Sequence, residues 1–149
     1  MSWLFNAEDW LVLLQAVVAV ALGGVLGWER QSAGKWAGFR THMLVCLGTA
    51  VIVLAGSGAG MSTDGLSRII QGIVTGIGFV GAGSILKLSQ ERKIKGLTTA
   101  AGLWMTAAIG VACGVGALGL AIIATIFSVM VLALEGVEKW WEKDRKNPD

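Results

Sequence analysis

Charged residues are scarce in this sequence of 149 residues. Asp, Glu, Lys and Arg make up 15% of it, against 54% hydrophobic residues, and the mean hydropathy is +0.69. A soluble domain carries about 25% charged residues, and one of this length could not bury so much apolar surface. The composition therefore indicates an integral membrane protein. It excludes a disordered chain, a disulfide scaffold and a typical cytosolic enzyme.

Residue types that support particular functions are also rare. His42 is the only histidine, which excludes a metal site built from several histidines. The net charge of +2 gives no reason to expect a nucleic-acid partner. The only proline is Pro148, so no predicted span contains one. Cys46 and Cys113 fall within apolar runs. We expect them to act as small packing residues and not as a disulfide or a metal pair.

Long uncharged runs predict membrane spans, because a charge at the bilayer centre is costly. The longest run, 39 residues between Lys95 and Glu135, would form a helix about 58 Å long, roughly twice the thickness of the hydrocarbon core. We divide it at residues 114–117, where glycines favour a turn. The prediction is an all-α bundle of five transmembrane helices in a single domain, 1–149. The spans and the charged tail that follows them are 10–28, 42–60, 67–87, 98–114, 117–135 and 136–149.

The distribution of Lys and Arg predicts how the bundle is oriented. With the N-terminus outside, 11 of the 12 basic residues fall in segments on the inner side, and only Arg68 falls outside. Basic residues accumulate on the cytoplasmic side of membrane proteins. We therefore expect the N-terminus outside the cell and the C-terminus, with the charged tail, inside.

The first candidate site lies where span 1 ends and span 2 begins. Its residues are Glu29, Arg30, Arg40, Thr41, His42 and Cys46. A short connection favours antiparallel neighbours, so we expect Glu29 to pair with Arg40. Two interpretations stay open. The cluster is either an interfacial anchor held by salt bridges, or a cytoplasmic site for an anion, a lipid head group or a protein partner.

A second candidate lies at the outer end of span 3, where Asp64 and Arg68 stand one helical turn apart. An i, i+4 ion pair is the favoured interpretation. The alternative is an outer gate or a weak cation site. It would be a poor one, because the guanidinium of Arg68 would neutralise the single carboxylate.

A third candidate opens span 4. Thr98 and Thr99 are expected to cap the helix or to bond back to its carbonyls. Trp104 lies about two turns further on, where we expect its ring to contact another helix. The basic segment 87–95 before this span is interpreted either as a solvated loop or as a surface for anionic lipid.

Glycine accounts for 22 residues, roughly twice its average usage. Residues 76–81 match the dinucleotide pattern G-x-G-x-x-G, but they lie in an apolar span with no βαβ unit, which excludes that interpretation. Small residues let helices approach closely in lipid. We therefore predict helix packing, within one chain or between two, at Gly72, Gly76, Gly78, Gly81, Gly83 and the spaced pairs 23/27, 56/60 and 110/114.

The middle of each predicted span contains no Asp, Glu, Lys or Arg. Pumps and coupled carriers place ionisable groups there. The sequence also offers no paired carboxylates, no nucleophile beside a base and no metal-ligand spacing. We therefore expect no enzyme activity, no cofactor and no bound metal.

Taken together, these segments resemble the MgtC/SapB family. The resemblance lies in 27–30, 37–48, Asp64, Arg68, Gln71, 76–83, 96–101, Trp104 and 107–110. The chain departs from the family at residues 35–42: where the family often reads Arg-Pro-Ala-Gly-Leu-Arg-Thr-His, this chain reads Lys-Trp-Ala-Gly-Phe-Arg-Thr-His. In addition, many members carry a soluble ACT-like domain where this chain has only its charged tail.

The resemblance implies a bacterial inner-membrane protein linked to growth in low magnesium and to survival inside host cells, and hence to virulence. The best-known member restrains the proton-driven ATP synthase, so the resemblance implies a regulator with that enzyme as a candidate membrane partner. We expect a homodimer in the lipid bilayer. The alternative is a transporter or channel for Mg²⁺ or another small solute, which the apolar span centres disfavour.

Overall fold

The structure is a computed structural model that describes residues 9–88 and 93–146, with side chains for 9–85 and 95–135. It contains five helices and one short hairpin: α1 (Asp9–Ser32), α2 (Phe39–Gly58), α3 (Thr63–Gly83), β1 (Leu86–Leu88), β2 (Lys93–Lys95), α4 (Leu97–Gly114) and α5 (Leu118–Lys146). All five helices are long and apolar enough to cross a membrane, α5 through its stretch Leu118–Glu135. The predicted five-helix membrane fold is confirmed. Which terminus lies outside stays a prediction.

Helix α4 ends at a glycine turn, where we predict that the longest uncharged run is divided. Gly116 has a φ of +80°, a left-handed conformation that glycine adopts without steric cost. Its N–H donates to the carbonyl of Cys113 at 3.0 Å, and the N–H of Ala117 donates to that of Ala112 at 2.9 Å. This pair of bonds satisfies the last carbonyls of α4. Gly34 and Gly60 have the same handedness, with φ of 70° and 69°, and they close α1 and α2 in the same way.

Two predicted boundaries differ from the helices. The sequence predicts span 3 at 67–87, but α3 begins four residues earlier. The side chain of Ser62 caps the helix there by accepting a bond from the N–H of Gly65 at 3.3 Å. The last predicted residues of that span belong to β1, which pairs antiparallel with β2. The predicted tail, 136–149, is helical as far as Lys146, because α5 continues beyond the apolar stretch.

The bundle is built around α2 and α4. Helix α1 packs on α2, α4 and α5. Helix α3 has substantial contact with two helices, α2 and α4. Helix α4 is the most buried of the five and α3 the least. One side of α3 therefore faces the surroundings of the chain, which for a membrane-spanning helix means lipid or another protein.

Close packing by glycine is found on both sides of α2. A Cβ added at Gly27 of α1 would lie 2.6 Å from the Cα of Phe39, and one at Gly114 of α4 would lie 2.8 Å from the carbonyl oxygen of Ala50. Gly23 and Gly110 approach α2 as closely, one helical turn before each of them. The spaced pairs 23/27 and 110/114 therefore bring α1 and α4 against the backbone of α2, as expected for helices in lipid.

Four of the glycines of α3 do not pack within the chain. A Cβ at Gly72, Gly76, Gly78 or Gly83 would meet no atom within 4 Å, whereas one at Gly81 would lie 3.6 Å from the Cβ of Ala100. Of the two alternatives left open for these glycines, packing within one chain does not occur at these four, and packing between two chains stays a prediction. The buried positions of α3 are Ile73, Ile77 and Gly81, spaced by one turn, so the other glycines face away from the bundle.

Candidate functional site

Four charged side chains meet where α1, the α1–α2 connection and α5 come together. Arg30, in the last turn of α1, is completely buried. Its guanidinium donates to the carboxylate of Glu29, with one bond of 2.6 Å from Nη2, and to Oε2 of Glu135 at 3.3 Å. Nζ of Lys35 donates to Oε1 of Glu135 at 2.5 Å. We call Glu29, Arg30, Lys35 and Glu135 the charge cluster.

The charge cluster links the first helix to the last. Besides its two carboxylates, Arg30 binds α5 through the carbonyl oxygen of Leu132, which accepts a bond from Nη2 at 3.0 Å. Leu132 and Glu135 stand one turn apart on α5, so a single guanidinium reaches both. The planar, forked guanidinium suits this role, since it can donate to several acceptors at fixed angles. The turn at Gly34 brings Lys35 back to the same carboxylate.

The cluster is balanced in charge, with two cations and two anions. A buried ion costs several kcal/mol of desolvation, which its partners offset only when the geometry is good. Here the guanidinium is fully buried, while the side chains of Glu29 and Glu135 are each about 20% exposed. Removing one partner would leave an uncompensated charge in a low-dielectric region. The arrangement therefore depends on all of its members.

His42 lies beside the cluster, near the start of α2, and is completely buried. Its Nδ1 lies 3.1 Å from the carbonyl oxygen of Gly38. Its Nε2 has no hydrogen-bond partner within the described part of the chain and faces Gly102 of α4, 3.7 Å from where a Cβ would stand. Cys46, one turn further along α2, is buried beside Cys113 of α4, and both thiols are free.

The expected pairing of Glu29 with Arg40 is wrong. Glu29 binds Arg30, and Arg40 and Thr41 are exposed. The reason is helical geometry. Since His42 points into the bundle, a residue two positions earlier lies about 200° around the helix and points outward. Arg40 makes no ion pair with any side chain that the structure describes.

Two members of the charge cluster, Lys35 and Glu135, were missed by the reasoning from sequence. In the sequence, Glu135 marks the end of the longest apolar run. The same argument of membrane depth that placed Glu29 near the start of span 2 also places Glu135 beside Arg30. Spans 1 and 5 both end on the side that we predict to be cytoplasmic. An acidic residue at the end of span 5 was therefore a signal for a partner of Arg30.

The predicted outer ion pair does not form. Asp64 and Arg68 are both exposed, and no salt bridge joins them within the described residues. Because both side chains are exposed, a contact between them would gain little. Asp64 lies in the first turn of α3, where a negative charge interacts favourably with the helix dipole.

Neither threonine caps α4. The N-cap is Gly96, which has a φ of +97° and no side-chain cap bond. A Cβ there would collide with the carbonyl oxygen of Ser84, so the chain leaving β2 requires glycine. Thr98 is exposed and Thr99 is buried. Trp104 is half exposed and lines a small cavity with Ile73 and other residues of α3; the expected contact of its ring with another helix stays a prediction.

The sequence is similar to a known protein family over most of its length. The model of the MgtC family matches residues 16–139. Protein SrpB of Synechococcus elongatus is 39% identical over 137 residues, 84% of this chain and 75% of that protein. Escherichia coli YhiD, whose name marks it provisionally as a magnesium transporter, is 42% identical over 127 residues, 80% of this chain and 58% of its own.

Protein MgtC of Salmonella typhimurium is 45% identical over 114 residues, which are 76% of this chain and 48% of that protein. The chain thus spans about half the length of MgtC and somewhat more of YhiD. No solved structure matches the chain.

Proposed function

Because this chain belongs to the MgtC family, we propose that it is a regulatory protein of the bacterial inner membrane that supports growth when magnesium is scarce. It is a multi-pass membrane protein with five helices of spanning length. The homologues named MgtC and YhiD support the link to magnesium. Regulation, and the inner membrane in particular, are parts of the proposal.

The observation that carries the proposal is the position of the buried charge in the bundle. Within the described residues Arg30 is the only buried charged side chain, and it lies at the end of the bundle that we predict to be cytoplasmic. The middle of each helix contains no Asp, Glu, Lys or Arg. A carrier would need polar groups along a path through the membrane, whereas a regulator needs a rigid surface at one side. The charge cluster supplies that rigidity by fastening α1 to α5.

The surface beside the cluster suits a protein partner. Arg40, Thr41 and Trp36 are exposed there, and aromatic and arginine side chains are enriched at interfaces. We propose that this surface contacts a membrane-protein partner, for which the ATP synthase is the candidate, and that the chain assists survival inside host cells. Catalysis has no part in this proposal.

A homodimer is the second element of the proposal. Three of the outward-facing glycines of α3, Gly72, Gly76 and Gly83, lie on one side of the helix and form an apolar strip together with Val80. Small residues on a lipid-facing helix allow a second helix to approach closely. We assign this strip, defined by Gly72, Gly76 and Gly83, to contact between two copies of the chain.

Transport of Mg²⁺ is the alternative, and it is favoured by the provisional name of YhiD. Mg²⁺ is usually held by one or two carboxylates with retained waters. Glu29 and Glu135 are both engaged with cationic side chains, and no group of three or more His, Cys, Asp or Glu side chains occurs in the described part of the chain. The geometry therefore gives this alternative less support.

Magnesium flux separates the two functions. The purified chain is reconstituted in liposomes that contain a fluorescent Mg²⁺ indicator, and protein-free liposomes serve as the control. We expect the same rate of Mg²⁺ uptake in both. Faster uptake in the protein-containing liposomes, reduced by Glu135→Gln, would support transport and overturn the regulatory proposal.

A further inference from the structure

A lateral groove opens between α1, α4 and α5. Its volume is about 300 Å³, and its lining is almost entirely apolar, with Leu26, Ala101, Met105, Phe127 and Leu132 among its walls. Phe127 is 63% exposed, so the groove is open towards the surroundings of the bundle. In a membrane those surroundings are acyl chains.

The groove ends at the charged side of the bundle. Leu26 lies one turn before Arg30, and the carbonyl of Leu132 is the one that Arg30 binds. Thr98, in the first turn of α4, contributes a hydroxyl to the same end of the lining. An acyl chain in the groove would therefore place its head group at the level of the charge cluster.

Burial of apolar surface does not determine which molecule occupies the groove. Lipid tails are as apolar as the side chains that line the groove, so a tail gains no hydrophobic free energy by leaving the bilayer for it. Close packing and the interactions of the head group must decide which lipid stays. The charges around the end of the groove are therefore the informative feature.

Those charges favour an anion. The charge cluster is balanced internally, but Lys95, three residues before Thr98, is exposed and makes no ion pair with the described residues. Gly96 gives α4 no side-chain cap, so the first amides of that helix add positive potential next to Lys95. A phosphate with a net negative charge fits this environment better than a zwitterionic head group does.

We propose that the groove binds one acyl chain of an anionic phospholipid, whose phosphate is held by Lys95 and Thr98. The site is independent of the regulatory function proposed above. It would fix the lipid at the junction of α1, α4 and α5, next to the contact that the charge cluster makes between α1 and α5.

Native mass spectrometry of the full chain tests the proposal. The protein is stripped of lipid in detergent and then offered equal amounts of phosphatidylglycerol and phosphatidylcholine. We expect one phosphatidylglycerol per chain, retained about fivefold more than phosphatidylcholine, which is the effect of one basic residue near a membrane surface. Lys95→Gln should abolish this preference, whereas Arg68→Gln, an exposed cation at the other end of the bundle, should leave it unchanged.

A second variant tests the groove itself. Ala101→Leu places a larger side chain in it and should reduce retention of both lipids, while Ala82→Leu, at an exposed position of α3, should not. Equal retention of the two lipids by the unchanged protein would overturn the proposal, as would undiminished retention by Ala101→Leu. A doubled protein mass that returns to one chain in Ala101→Leu would assign the groove to a second copy and overturn it too.

Discussion

Replacing Arg30 by glutamine tests the energetics of the charge cluster. The change removes the guanidinium that binds two carboxylates and the carbonyl of Leu132. Glu29 then loses its described cationic partner, while Glu135 keeps Lys35. Breaking a buried pair by removing one member costs about 3–5 kcal/mol. Since both carboxylates are about 20% exposed, water can reach them, and we expect a loss near the lower end, about 3 kcal/mol.

The loss can be measured by unfolding the protein with increasing sodium dodecyl sulfate in mixed micelles, followed by tryptophan fluorescence. Arg40→Gln is the matched control. It removes the same group from an exposed position, so its effect should stay within about 0.5 kcal/mol. The double variant Arg30→Gln, Glu135→Gln should lose less than the sum of the two single losses, because the two side chains interact. An Arg30→Gln variant as stable as the unchanged protein would refute the description of the cluster.

Three further predictions concern packing, assembly and orientation. Gly110→Ala should lower the free energy of unfolding by about 1–3 kcal/mol, because its Cβ would overlap the backbone of α2; Gly76→Ala should not, and equal effects would contradict the packing described. Gly76→Leu should reduce the mass seen by light scattering in detergent from two chains to one without loss of thermal stability. A dimeric Gly76→Leu would exclude the α3 strip as the interface. A reporter fused after Asp149 should be active only in the cytoplasm, and activity outside would reverse the predicted orientation.

The helices could be predicted from sequence because their signals are local. Runs without charge set the number of spans, and the glycine at position 116 divided a run too long for one helix. The boundaries of α3 were less accessible, since the cap at Ser62 depends on one side-chain hydrogen bond. The extension of α5 to Lys146 could not be predicted from hydropathy. Hydropathy indicates which residues lie in the bilayer, and a helix can continue beyond them.

The site was harder to predict because it depends on which way each helix faces. Membrane depth places Glu29 at the level of both Arg30 and Arg40 and does not show which of them it binds. Arg40 points away from the bundle because His42, two residues later on the same helix, points into it. The glycines of α3 posed the same difficulty, since spacing shows that small residues share a face but not what that face meets. Glu135 is separated from Arg30 by 105 residues, so no local pattern joins them.

Growth at low magnesium tests the central claim most directly. A bacterial strain that lacks its own MgtC-family protein would carry the unchanged chain, Arg30→Gln or Arg68→Gln, with the three proteins adjusted to equal amounts in the membrane. We expect the unchanged chain and Arg68→Gln to restore growth, and Arg30→Gln to fail. Full restoration of growth by Arg30→Gln at an equal membrane level would show that the charge cluster does not carry the function.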